Sequence, residues 1–125
     1  MTTRFLVSLP QPARARGEGG LSFTSESPQG FAEELENALR TPALFERWRA
    51  AQPEPDEVDP TLGATDPEAR VTGSQRDLRI ELDIRTRLSG DILKQRLRWL
   101  AGNGWELRDV RSDTTPQGGW IGPAG

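Results

Sequence analysis

The chain has no cysteine, no histidine and no tyrosine among its 125 residues. Without cysteine there is no disulfide frame, no thiolate metal site and no cysteine nucleophile, and nothing points to an oxidising compartment. Without histidine the side chain that most often moves protons near neutral pH is missing, and with it any Ser/His/Asp triad and the usual imidazole metal sites. No apolar run approaches membrane-spanning length, and the hydrophobic stretch in the first sixteen residues, MTTRFLVSLPQPARAR, is too brief for a secretory signal. These absences lead to the expectation of a cytoplasmic, non-enzymatic protein with no cofactor, no bound metal and no membrane association.

Lysine is nearly absent too: Lys94 is the single one beside fifteen arginines. Arginine excess together with abundant Ala, Gly and Pro fits a GC-rich coding bias. The net charge of -3 hides an asymmetry, because residues 1–75 carry seven arginines against twelve acids whereas residues 76–111 carry nine cations against six acids. The two halves complement each other.

With 34% hydrophobic residues the chain can build one modest core. Arg4 to Leu9 is β-prone and ends at Pro10, and Leu21 to Ser25 alternates well enough to be its hairpin partner. Residues 10–20 between them, polar and rich in Gly and Pro, read as a mobile loop. Ser27-Pro28 is a helix start, since the serine hydroxyl caps an orphan amide and proline gives up a donor that has no partner there. Phe31, Leu35 and Leu39 then recur at helical spacing, and Pro42 should break the helix at Thr41 before Leu44, Phe45 and Trp48 supply a second apolar face. Residues 53–70, with four prolines and six acids around Val58 and Leu62, have little to bury and read as a disordered acidic linker.

The most regular stretch is Asp77 to Ser112. Leu78, Ile80, Leu82 and Ile84 alternate with Arg79, Glu81, Asp83 and Arg85, as in a strand with one buried and one wet face. Ser89 or Asp91 caps a helix with Leu93, Leu97 and Leu100 as its stripe, and Gly102-Asn103-Gly104 ends it. Trp105 and Leu107 open a last strand in which Val110 is out of phase, which a bulge near Arg108, or burial of both faces there, would reconcile. The two strands should run parallel with a right-handed crossover. The expected architecture is a two-layer α+β sandwich in the order β-(β)-α-α-β-α-β. A three- or four-stranded sheet carries two or three helices on one face, in a single domain over residues 1–112 followed by a disordered tail, 113–125.

At Leu93 to Val110 the sequence resembles a small bacterial and phage family of unknown function, marked by a helix leading through Gly-Trp-Glu-Leu into a strand. The likeness rests on Leu97, Leu100, Ala101, Gly104, Trp105, Glu106, Leu107 and Val110, while Arg108 stands where the family usually has valine. It implies a compact strand and helix domain and no activity, ligand or catalytic residue.

Three function classes compete. A carboxylate enzyme would draw on Glu81 and Asp83, or on Glu106, but the neighbouring Arg79 and Arg85 make cross-strand charge pairing the simpler account. A nucleic-acid binder would use Arg14 and Arg16 in the loop with Arg79, Arg85 and Arg87, against interrupting acids and no aromatic set to stack bases. The favoured expectation is a non-catalytic protein-binding module: an adaptor, inhibitor, immunity protein or phage-type modulator. It would contact another protein through Arg79, Glu81, Asp83 and Arg85 and through Trp120 in the tail. Self-association through a sheet edge, either Arg4 to Leu9 or Trp105 to Arg111, is a further expectation.

Overall fold

The computed structural model describes residues 2–17 and 19–112. Four strands and three α-helices follow one another as β1 (Thr3–Leu9), α1 (Pro28–Arg40), α2 (Ala43–Ala50), β2 (Arg70–Arg76), β3 (Arg79–Thr86), α3 (Gly90–Ala101) and β4 (Glu106–Ser112). The fold class is α+β. The tail 113–125, with Trp120, lies outside the described residues.

Helix starts and stops follow the local chemistry. Ser27 Oγ accepts the Gly30 amide at the head of α1, Ser89 Oγ accepts the Ile92 amide at the head of α3, and α1 ends at Thr41 just before Pro42. Gly102 closes α3 at φ +60°, where a β-carbon would also sit 2.7 Å from the Arg16 carbonyl oxygen.

The sheet order is β2-β3-β1-β4, every neighbouring pair antiparallel. Strands β3 and β4 are therefore parallel to each other, as the strand, helix, strand pattern requires, but β1 lies between them. The register of β1 against β4 shifts between Leu6 and Val7, leaving Arg108 as the extra residue. Leu107 faces Val7 and Val110 faces Phe5, so the bulge returns Val110 to the side that carries Phe5 and Val7. The helices lie on one face, where Phe5, Val7, Leu9, Ile80, Leu82 and Ile84 meet Phe31, Leu35, Leu39, Leu93, Leu97 and Leu100 in one buried core.

Several expectations change. Leu78 belongs to a two-residue turn, not to the buried row: β2 and β3 form a hairpin through Asp77 (φ 56°) and Leu78, which is 84% exposed. Strand β2 has only Val71 as a large buried side chain, too few alternating apolar residues to announce a strand. Leu21 to Ser25 is not a strand. Leu21 closes a 3-10 turn, and Phe23 packs edge-on to Phe31 while its amide donates to the Leu100 carbonyl. Loop 10–20, expected to be mobile, holds a 3-10 turn at Pro12–Arg14, a buried Ala15 and a Gly17 amide bonded to the same Leu100 carbonyl. Nor is β1 a free edge, since it is paired on both sides.

The acidic stretch 53–70 is laid against the body by polar anchors rather than by apolar burial. Asp66, 2% exposed, accepts from Thr86 Oγ1 at 2.9 Å, from the amides of Arg87 at 2.8 Å and Glu68 at 3.0 Å, and from the Arg87 guanidinium at 3.3 Å. The Asp66 amide in turn donates to the Leu39 carbonyl at the end of α1. Arg96, fully buried in α3, donates through Nη2 to the Ala64 carbonyl at 2.9 Å and through Nε to the Ala38 carbonyl at 3.4 Å, and its guanidinium lies 5.1 Å from the Trp99 ring. One cation thus neutralises the negative end of α1 and fastens the acidic segment. Burial lowers the Arg96 pKa from its ordinary value.

Replacing Arg96 with Ala leaves the buried Ala38 carbonyl without this donor, releases the Ala64 carbonyl and opens a void in α3's packing, and should cost about 3 kcal/mol in chemical denaturation. For Asp66, burial raises the carboxyl pKa, but the bonds from Arg87, Glu68 and Thr86 outweigh it and hold the group below its ordinary value of 3.8. Its stabilising contribution is therefore complete above that value and is lost as pH falls through the lower folded one. Asp66→Asn should cost roughly 1–3 kcal/mol at pH 7, because its amide faces donors, and should flatten the loss of stability below about pH 4 seen in denaturant midpoints.

Candidate functional site

The sheet face opposite the helices collects the charged side chains of all four strands. Register sorts them into rows running across the strands. Arg70, Arg85, Arg4 and Arg111 form one row, one arginine per strand. The next row is Thr72, Asp83, Leu6 and Asp109, and after it come Ser74, Glu81, Ser8 and Glu106. Arg76 opposite Arg79 completes the β2–β3 side.

The acids neutralise their arginine neighbours unevenly. Arg4 grips Asp83 through Nη2 at 2.7 Å and Nε at 3.0 Å, a fork in which both side chains are half-buried. Glu81 lies 3.4 Å from Arg76 and 3.6 Å from Arg79, and Arg108 lies 3.4 Å from Glu106. Arg111 Nε donates to Asp109 at 2.6 Å, and that bond, with the Val110 amide at 2.9 Å, holds the Asp109 carboxyl below its ordinary pKa. Among the described residues, seven arginines and four carboxylates share this face, on a chain that is negative in total. A groove of about 370 Å³ runs over it, with Leu6, Thr72 and Ser74 between Arg4, Arg76 and Arg108. Ser8 Oγ and Arg79 Nε are buried in this layer without a hydrogen-bond partner.

Arg79, Glu81, Asp83 and Arg85 therefore share one surface as their alternation implied. The nucleic-acid set is dispersed. Arg16 donates to the carbonyls of Phe23 at 3.1 Å and Ser25 at 2.8 Å and lies 5.3 Å from the Phe31 ring, a structural clasp on the helix layer. Arg87 is held by Asp66. Arg14 is exposed at the far end of β1 from the arginine row, beside a groove of about 390 Å³ with Gln11, Trp105 and Glu106. Sequence reading missed Arg4, Arg70, Arg76, Arg108 and Arg111 as members of the face. The alternation of Phe5, Val7 and Leu9 could have exposed Arg4, but the others depend on strand pairing.

Among the described residues, no group of three or more acidic side chains is placed to hold a metal ion, and no helix is long and apolar enough to cross a membrane. No family model, curated protein or solved structure matches the chain.

The Arg4–Asp83 fork should show a coupling of about 0.5–1 kcal/mol in a double-mutant cycle with Arg4→Ala and Asp83→Ala, read by thermal unfolding. Its half-exposed position screens it below the value of a buried pair, and the coupling should shrink in molar salt.

Proposed function

We propose that the chain is a non-catalytic, cytoplasmic protein-docking module, an adaptor, inhibitor, immunity protein or phage-type modulator, that engages its partner through the open face of the sheet. The observation that carries this reading is the banded face itself: rows of arginines and carboxylates from four strands, with Leu6 at the centre and, among the described residues, no helix laid over it. Such a surface supplies a small apolar centre inside a polar rim and fixes a partner's register by charge. Trp120 adds an aromatic anchor from the tail in this reading. The resemblance of Leu93 to Val110 to a family of unknown function agrees with a compact scaffold and adds no chemistry.

The arginine row also keeps nucleic acid in view as a second reading. Its loop arm is weakened because Arg16 is engaged on the helix layer. Self-association through β4 is compatible with either reading, since Val110 is 49% exposed on that edge strand.

Affinity capture from the native host with the full chain should retain a partner protein. Arg70→Glu combined with Arg85→Glu should reduce its retention about tenfold or more, and deletion of residues 113–125 should reduce it as well. A partner retained equally by the charge-reversed face would overturn the assignment of the docking surface.

A further inference from the structure

The sheet ends in two edge strands, β2 and β4. Helix α1 covers part of the β2 edge: Glu36 accepts the Val71 amide, and Gly73 lies so close to the Pro28 carbonyl that a β-carbon there would collide with it. Among the described residues, β4 has β1 on one side and no strand on the other. On its helix side Leu107 is partly buried and Val110 is 49% exposed. On its open-face side stand Glu106, Arg108, Asp109 and Arg111, acids and bases in equal number.

We propose that β4 pairs antiparallel with β4 of a second copy of this chain about a two-fold axis, joining the two sheets into one. Such an axis stands perpendicular to the sheet, so residues brought opposite one another must come from the same face. The bulge makes that condition selective. With Arg108 as the extra residue, Arg108 and Asp109 are neighbours on the open face while Leu107 and Val110 share the other. Faces then match along the whole of residues 106–111 in one register, with the axis passing between Arg108 and Asp109. Centring the pair on Val110 or on Leu107 instead matches faces only as far as the bulge.

In that register Leu107 meets Val110, Arg108 meets Asp109 and Glu106 meets Arg111, each contact occurring twice by symmetry. The apolar edge is covered, and every charged position faces its opposite. No group has to be free beforehand. Within the strand Arg108 lies 3.4 Å from Glu106 and Arg111 lies 2.6 Å from Asp109, pairs whose side chains are 40–60% exposed and which contribute little alone. In the dimer each carboxylate keeps its own arginine and gains one from the second copy. Asp109 Oδ1, which accepts the Val110 amide at 2.9 Å, turns to Arg108 of the second copy as that amide enters the ladder. One strand a side is a small interface, so the affinity is modest. The inference goes beyond the docking reading and does not depend on it, since the axis leaves the open face of both copies uncovered.

Sedimentation equilibrium on the full chain tests this. The wild-type chain should dimerise at concentrations up to about 1 mM, a range that populates even a weak specific contact. Arg108→Asp and Asp109→Arg should each weaken dimerisation about tenfold or more, because each sets like charges opposite one another twice. An equimolar mixture of those two variants should dimerise as the wild type does, since the acids of one then face the arginines of the other. Oxidising a mixture of Leu107→Cys and Val110→Cys should give disulfide-linked dimers of unlike chains and not of like ones. The chain has no other cysteine, and like positions lie roughly 10 Å apart along the strands, beyond disulfide reach. Circular dichroism melts verify that every variant is folded. A wild-type chain that stays monomeric, a single charge variant that dimerises undiminished, or a mixture that fails to recover would overturn the proposal. Cysteine variants that cross-link alone, or fail to cross-link when mixed, would overturn it too.

Discussion

Insertion of the amino-terminal strand between β3 and β4 is the constraint on which the rest of the molecule depends. β1 hydrogen-bonds along both edges, so two strands that belong to one local strand, helix, strand unit never touch. Phe5, Val7 and Leu9 thereby enter the centre of the core, and Arg4 enters the centre of the arginine row. Contacts of this kind join residues far apart in sequence, such as Arg4 and Asp83, and their loop-closure cost is recovered only when both the core and the face are complete. The fold and its candidate site are for this reason one cooperative unit.

Polar anchors do for the loops what apolar burial does for the helices and strands. The segment from Pro53 to Ala69 has few apolar groups to bury, yet Asp66 binds it to the end of β3 and Arg96 binds it to α3 and the carboxyl end of α1. Glu34 plays a parallel part for the amino-terminal loop, accepting the amides of Thr24 and Ser25. Each of these groups is expensive to bury alone and stabilising once its bonds are complete, so the loops depend on a few residues rather than on many. Glu36 extends the same device to a sheet edge by accepting the Val71 amide, which closes part of β2 against further pairing.

What was legible followed from short-range physics. The alternation of Ile80, Leu82 and Ile84 with charged residues, the Ser27 and Ser89 caps, the Pro42 break, the glycine stop after α3 and the bulge at Arg108 all stand in the structure. Each is decided within a few residues by periodicity, φ preference or an orphan amide. Strand β2 was not legible, because its largely polar residues hold a strand conformation only through pairing with β3 and packing against α1. Leu78 was misplaced for the related reason that a two-residue turn through Asp77 and a continuing strand look alike when only the apolar spacing is read. Arg16, Arg87 and Arg96 likewise look in sequence like ordinary surface cations.

By itself the sequence determined the helices, the strand and helix core unit, the absence of histidine and cysteine chemistry, and the uneven division of charge between the two halves. Tertiary structure alone decided strand order, the polar contacts of the acidic segment with β3 and α3, and the assembly of Arg70, Arg85, Arg4 and Arg111 into one row. The physical reason is that a strand's side-chain alternation says which residues share a face but nothing about which strand lies beside it. Neighbours across a sheet are set by hydrogen-bond register, and register is settled only when every buried side chain has found its place in the core.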